Sequence, residues 1–342
     1  MKKSVRIREM EKFKSLSLNE LCLSLCENKK TLIIFHVRPD ADAVGSAFAL
    51  RELLLTMGIQ AYCVCSDELP EKLAFIADGT QGSVLLEDDM RIDYERIISV
   101  DSASPVQLGS LFNRLHRDID IMIDHHSSGT VYAAHYVDFN AAATGEIIYK
   151  IAKKLVSMGK IDSIPSRTVN CVYAALSSDT GGFKFSNVKA STHKLAAELI
   201  NLGAEHVEID RMLFDTKSMI QIQVEGEAAR RLKTCNNGKV AWISIPYSLR
   251  EELSARDEHL DTVIEIARSL SGVEVSLSIR ENADRASYRV SMRSVTDFDV
   301  SYVCARFGGG GHKSSAGCTV KASSIEEAEQ KLIAEIARLW NL

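Results

Sequence analysis

Four short apolar runs, at residues 31–36, 61–66, 96–101 and 118–124, recur through the first half of the chain, and they are separated by stretches of helical periodicity such as 45–57. Runs of this length and apolarity predict buried strands. Strand, helix, strand, helix in turn implies an α/β fold: an open, mostly parallel sheet with helices on both faces. In such sheets ligands bind at the carboxyl ends of the strands. His36, Asp101 and the run Asp124, His125, His126 each close an apolar run, so the polar side chains fall where a ligand is expected.

The second half reads differently. Val273, Val275, Leu277 and Ile279 alternate with polar neighbours, and Tyr288, Val290 and Met292 do the same after the polar turn 281–285, which predicts a hairpin with one buried face. A Gly-rich loop follows at 308–311, then a short strand near 317–321, then a final helix capped by Ser324 and Glu327. A chain of 342 residues exceeds one comfortable core. The helix 192–201 stops at Gly203. The expected division is therefore 1–203, a connector at 204–225, and a smaller α/β domain with a mixed sheet at 226–342.

Charge and cysteine usage narrow the classes. With 41 basic and 46 acidic side chains the net charge is -5, and no basic stripe stands out, so a partner of long duplex nucleic acid is not expected. The eight cysteines, at 22, 26, 63, 65, 171, 235, 304 and 318, form no CxxC pair and no zinc spacing. They read as small buried hydrophobes in a reducing compartment. The basic start, residues 1–12, leads into Ser17 and Glu20, a capping box, with Leu18, Leu21, Cys22 and Leu25 at helical spacing. That is an amphipathic helix and not a signal peptide, and no apolar run reaches membrane-spanning length. The expectation is a cytoplasmic protein with no membrane partner.

Two clusters carry chemistry. Asp40 and Asp42 lie two apart on the turn after the first apolar run, where both carboxylates can reach one small volume. Taken alone, either fits equally well as the cap of the next helix, and His36 alone reads as a core histidine. Asp101, then Asp124 with His125 and His126, then Asp179 at the end of another apolar run, shift that balance. Buried acids are costly unless paired or metal-bound, and aspartate with imidazole suits a divalent ion such as manganese. The second cluster is Gly309, Gly310 and Gly311 with His312, Lys313, Ser314 and Ser315. Glycines let backbone N–H groups turn toward an anion. The loop has neither the Walker ending nor the helix and acid of a dinucleotide site, and by itself it reads as a flexible hairpin loop.

Together, His-x-x-x-Asp-x-Asp at 36–42, Asp101, Asp-His-His at 124–126 and Ser-Asp-Thr-Gly-Gly-Phe at 178–183 resemble the four motifs of the DHH phosphoesterase superfamily. Phe307-Gly-Gly-Gly-Gly-His312 is similar to its DHH-associated C-terminal domain, and the nearest type within the superfamily is nano-RNase A. The resemblance implies a hydrolase that cuts short single-stranded oligoribonucleotides, including pApA, to nucleoside 5′-monophosphates and that dephosphorylates adenosine 3′,5′-bisphosphate to AMP. It implies two divalent ions, manganese with magnesium or cobalt as alternatives. His36, Asp40 and Asp101 would hold one; Asp42, Asp101, His125 and Asp179 would hold the other. Asp124 would orient His125, and His126 would face the phosphate and protonate the leaving oxygen. Arg293, Gly309, Gly310, Gly311, His312 and Ser314 would contact substrate in the second domain, and a homodimer is plausible by the same resemblance. The competing readings are a cyclic-dinucleotide phosphodiesterase of the same superfamily and a nucleotide-binding regulator without chemistry. Ala41 and Lys184 stand where the family often has Gly and Arg.

Overall fold

The computed structural model describes residues 13–77, 93–127 and 129–340, and for His312 the backbone alone. The basic start 1–12 lies outside them. The chain separates into two compact units, Met1–Thr216 and Lys217–Leu342. None of the described helices is long and apolar enough to cross a membrane.

The first unit opens with helix α1 (Leu18–Leu25), whose N-terminus carries the expected capping box between Ser17 and Glu20. Strands β1 (Thr31–Ile34), β2 (Ala61–Val64), β3 (Arg96–Val100), β4 (Ile121–Asp124) and β5 (Ala134–Val137) build one sheet in the order β2-β1-β3-β4-β5, parallel throughout. Strand β5 is absent from the sequence reading: four residues at a sheet edge, one of them His135, carry too little apolar pattern to stand out.

Successive side chains of a strand point to opposite faces, and both faces are covered. Ile33, Cys63, Ile98, Val100, Ile121 and Ile123 face one core with α1 and the long helices α2 (Ala41–Thr56), α4 (Thr144–Ser157), α5 (Ser166–Asp179) and α6 (Ala190–Asn201). Leu32, Ile34, Val64, Ile97 and Met122 face a thinner layer containing Leu108 and the short helix α3 (Ser110–Arg114). Helix α7 (His206–Asp210) follows, near the end of the unit.

Strands β1 and β3 are neighbours, yet the chain leaves them toward opposite edges of the sheet. The order 2-1-3-4-5 therefore has its switch point between them, where a crevice opens beyond the carboxyl ends. The strands are shorter than the apolar runs, and β1 and β3 end before His36 and Asp101. Asp101 turns out of the ladder at φ +52, a backbone region uncommon for a residue with a Cβ.

Helix α2 is buried along its first ten residues and lies against α5. Gly45 sets that approach: a Cβ there would stand 2.5 Å from Cys171 O and 3.1 Å from Ala175 Cβ.

The second unit begins with helix α8 (Met219–Arg230) and carries a six-stranded mixed sheet, β10-β11-β9-β8-β7-β6. Its strands are β6 (Lys233–Cys235), β7 (Val240–Ile245), β8 (Val275–Glu281), β9 (Ser287–Ser294), β10 (Gly310–His312) and β11 (Ser315–Lys321). Only β7 and β8 pair in parallel. The expected hairpin is β8–β9, but β8 is buried on both faces apart from its last residue. The reason is a second layer: α8, α9 (Tyr247–Glu252) and α10 (Val263–Arg268) pack with β7 on the face that carries Ser276, Ser278 and Arg280. The other face packs on α11 (Val300–Arg306) and α12 (Ile325–Leu339). The loop expected at 308–311 is partly strand, since Gly310 pairs with Gly317 and Gly311 with Ala316.

Gly45→Val forces a branched side chain into the closed gap between α2 and α5, and is expected to lower unfolding free energy by about 1–3 kcal/mol. Chemical denaturation at equilibrium measures the loss, and an unchanged midpoint contradicts the assigned close approach.

Candidate metal centre

Three loops leave the carboxyl ends of β1, β3 and β4 and bring their polar side chains together. Asp40 is the N-cap of α2, and its Oδ1 accepts the backbone N–H groups of Asp42 and Ala43 at 3.0 Å each. The capping alternative is therefore realised at Asp40, but the same oxygen also faces His36 Nε2 at 3.8 Å. Asp42 does not cap its own helix. Its Oδ1 accepts from Ser46 Oγ at 3.0 Å and from Gly145 N at 2.9 Å, and its Oδ2 accepts from Thr144 N at 2.8 Å. Asp42 thus satisfies the first N–H groups of α4, where the helix dipole favours a negative charge.

Asp101 lies at the centre. Its Oδ2 is 3.6 Å from His36 Nε2, and its Oδ1 is 3.8 Å from His125 Nε2. His125 Nε2 also stands 3.7 Å from Asp42 Oδ2 and 3.6 Å from Asp179 Oδ2. Asp179 is the last residue of α5, so a helix end supplies the candidate donor that the sequence placed after an apolar run. Three overlapping groups of donor atoms result: His36 with Asp40 and Asp101, Asp42 with His125 and Asp179, and Asp101 with His125 and His126, of which the first two share no residue. Asp101 turns one carboxylate oxygen toward each of those two.

These gaps are too long for hydrogen bonds. They suit two donors around a shared ion, because atoms each roughly 2.1 Å from one metal are at most about 4.2 Å apart. The imidazoles are oriented for it. His36 Nδ1 donates to Val37 O at 2.9 Å and His125 Nδ1 to Ala141 O at 3.3 Å, which leaves both Nε2 lone pairs aimed at carboxylates. A proton or a cation has to lie between them.

Charge tells the same story. Among the described residues no lysine or arginine pairs with Asp40, Asp42, Asp101 or Asp179. Burial, then the neighbouring Asp101, pushes Asp179 up to about 7, and the same two causes raise Asp42. Burial opposes charge on His36, yet the facing carboxylates of Asp101 and Asp40 raise it to about 11. Asp101 itself is held low, because the surrounding histidines outweigh its burial. Acids that crowd this closely without a cation repel, and a hard donor set of carboxylate and imidazole fits divalent metal.

Asp124 departs from its expected part. Its Oδ1 accepts from the backbone N–H of His125 at 2.9 Å and of His126 at 3.3 Å, and stands 2.7 Å from His126 Nδ1. The carboxylate therefore orients His126 and not the ring of His125, because the chain turns after β4 and folds the second imidazole back over it. Burial opposes the imidazolium form of His126, but Asp124 and Asp101 raise it to about 9.

One segment that sequence reasoning missed braces this centre. Ala141 O receives His125, Thr144 N and Gly145 N bind Asp42, and Thr144 Oγ1 donates to Asp101 Oδ1 at 2.8 Å. Asn187 Nδ2 spans Ala142 O and Asp179 O at 3.0 Å each. The sequence signal available was slight: Thr-Gly at the head of an amphipathic helix after three alanines.

The remaining predicted site residues lie in the second unit. Arg293 is half-buried on the β9 face opposite Tyr288, Val290 and Met292, and its Nη1 donates to Met292 O. In register it sits between Ser276 and Ser315. Gly309 is tightly enclosed: a Cβ there would stand 2.2 Å from Gly317 O. Gly310, Gly311 and the His312 backbone form β10, and Ser314 is exposed at the turn that follows. Nothing is described of the His312 side chain.

Both halves of the chain match known protein domains. Residues 30–176 match the model of the DHH family, N-terminal domain, and residues 237–338 that of the DHHA1 domain. The chain is 26% identical over 303 residues to the bifunctional oligoribonuclease and PAP phosphatase NrnA of Thermus thermophilus, covering 88% of this chain and 87% of that one. It is 25% identical over 312 residues to the Bacillus subtilis protein of the same name, covering 89% and 92%. An exopolyphosphatase-related protein from Bacteroides fragilis shares the fold with a TM-score of 0.84 over 94% of this chain and 97% of that one, at 21% identity. With both domain matches in sequence order and the Asp–His centre between β1, β3 and β4, the chain belongs to the DHH family of phosphoesterases.

Proposed function

We propose that this phosphoesterase holds two divalent ions, manganese foremost, and hydrolyses short oligoribonucleotides to nucleoside 5′-monophosphates, and that it also releases phosphate from adenosine 3′,5′-bisphosphate. The observation that carries the reading is Asp101, one buried carboxylate with an oxygen toward each of two donor groups. The NrnA relatives, named for both activities, support the substrate class.

His36, Asp40 and Asp101 would hold one ion, and Asp42, Asp101, His125 and Asp179 the other. Bound there, divalent ions supply Lewis acidity toward the phosphoryl oxygens and lower the pKa of an attacking water. The protein does the rest. Asp42 and Asp101 are fixed by Thr144, Gly145 and Ser46, so little reorganisation accompanies reaction. Asp124 holds His126 by Nδ1 and orients the ring, and His126 delivers a proton to the departing ribose oxygen. In the second unit, residues 226–342 serve as the substrate-binding domain. Arg293, Ser314, His312 and the turn formed by Gly309, Gly310 and Gly311 grip the remaining phosphates of a short chain.

Asp179→Ala is expected to cut turnover of a diribonucleotide by more than about 100-fold with manganese saturating, while circular dichroism reports an intact fold. Retention of most activity removes Asp179 from the ligand set. Thr144→Val keeps the shape but frees the Asp101 carboxylate, and calorimetric titration should show manganese affinity weakened about 10–100-fold. A substrate panel of pApA, a longer RNA, cyclic di-AMP and adenosine 3′,5′-bisphosphate tests the class. Hydrolysis of the first and last is expected to vanish with chelator and return with manganese, whereas preference for cyclic di-AMP would transfer the enzyme to the cyclic-dinucleotide group.

A further inference from the structure

Two phenylalanines of the first unit are left out of both its cores and out of the donor groups. Phe139 is 48% exposed and Phe185 is 42% exposed. A single exposed apolar side chain is ordinary. These two are not scattered, because each projects from a segment that also holds a metal donor.

Phe139 lies between two attachments to the Asp-His-His run. Before it, Asp138 N donates to Asp124 O at 3.1 Å; after it, Ala141 O receives His125 Nδ1. Phe185 lies on the turn that follows Asp179. Thr180 O accepts from Lys184 N at 2.9 Å and from Phe185 N at 3.0 Å, and Gly182 N donates to Ser177 O at 2.8 Å. Asn187 joins the two segments, since its Nδ2 donates to Ala142 O and to Asp179 O at 3.0 Å each.

The turn sends its two phenyl rings different ways. Phe183 packs against the core and stacks on His193, with ring centroids 5.5 Å apart and planes at 28°. Phe185 turns outward over Gly181. A Cβ on Gly181 would lie 2.4, 2.5 and 2.7 Å from Phe185 Cζ, Cε1 and Cε2. Distances so nearly equal place that point over a face of the ring and not beyond its edge. Glycine therefore backs one face closely, and the opposite face is the one a ligand would meet. Gly181 is two residues past Asp179, so their Cα atoms are at most about 7 Å apart. The ring is thus fixed beside the donor groups.

We propose that Phe185, with Phe139 on the adjoining segment, forms a stacking subsite for a nucleobase and so seats the nucleotide whose phosphate lies at the metal centre. A base stands one sugar away from its phosphate, and an aromatic face beside the donor groups meets it there. Stacking accepts any base, because every base has a π face. Neighbouring polar side chains are engaged with the protein: Asn187 as described, Lys189 with Asn140 O and Asp138 with Lys150. The subsite therefore discriminates by stacking strength, holding purines more tightly than pyrimidines. The choice of a nucleobase as occupant rests on the reading of the chain as a nucleotide phosphoesterase; the placement of the rings does not.

The test titrates the full-length, manganese-loaded protein calorimetrically with AMP and with ribose 5-phosphate, probes that share the sugar phosphate and differ in the base. AMP is expected to bind about tenfold or more tightly than ribose 5-phosphate. Phe185→Leu is expected to remove most of that difference while holding ribose 5-phosphate within about twofold, and Phe185→Tyr to restore it. Phe139→Leu is expected to reduce the difference by about twofold or more. A wild-type protein with no preference for AMP overturns the proposal. So does a Phe185→Leu protein that keeps the preference, or one that loses both probes equally, which would make the ring a support for the Asp179 turn. Hydrolysis of pApA is scored separately on the same preparation. Its absence beside an intact AMP preference removes the proposed substrates and leaves the stacking subsite; turnover without the preference does the reverse.

Discussion

Mutual repulsion among four aspartates governs this structure. Asp40, Asp42, Asp101 and Asp179 approach one another through His36 and His125, with no lysine or arginine pairing with them among the described residues. Such an arrangement is unstable unless positive charge, as protons on the imidazoles or as a bound cation, lies among the carboxylates. The fold is consistent with that demand. The sheet order places its switch point between β1 and β3, and the two loops leaving those strands carry His36 and Asp101 into one crevice. Asp101 adopts a left-handed backbone there, a local cost that orients its carboxylate toward both donor groups.

The bracing of these charges is as informative as the charges. Residues Ala141, Ala142, Thr144 and Gly145 form a platform at the start of α4 that receives His125, Asn187, Asp42 and Asp101. The N-terminal N–H groups of a helix are an electrostatic support for a carboxylate, and here they support Asp42, which belongs to another helix. Asn187 ties Ala142 to the end of α5, where Asp179 stands. The close approach of α2 and α5 at Gly45 belongs to the same construction, since Asp42 rides on one helix and Asp179 ends the other.

Much of this was legible in the residue order, unevenly. The apolar runs revealed β1 to β4 because buried parallel strands leave near-continuous hydrophobic segments. They overstated the strand lengths, since burial continues into the loops that carry His36 and Asp101. Strands β5 and β6 went unseen because short edge strands have little pattern, and β7 went unseen as well although it is a fully buried apolar run. The β8 strand read as half-buried, since its second face carries Ser276, Ser278 and Arg280; a helical layer buries those polar groups, and local alternation does not reveal what packs above a sheet.

Sequence by itself determined the inventory: which acids and imidazoles are present, and that apolar runs deliver them to strand ends. Residue types and spacings are local properties, so they survive in a linear string. Only the tertiary structure decided which oxygen of Asp101 faces which group, that Asp124 serves His126 and not the ring of His125, and that Thr144 braces Asp42 and Asp101 from about 100 residues and more than 40 residues away respectively. Those pairings depend on where helices and strands pack, and packing distances between remote segments are not written in any short stretch of chain.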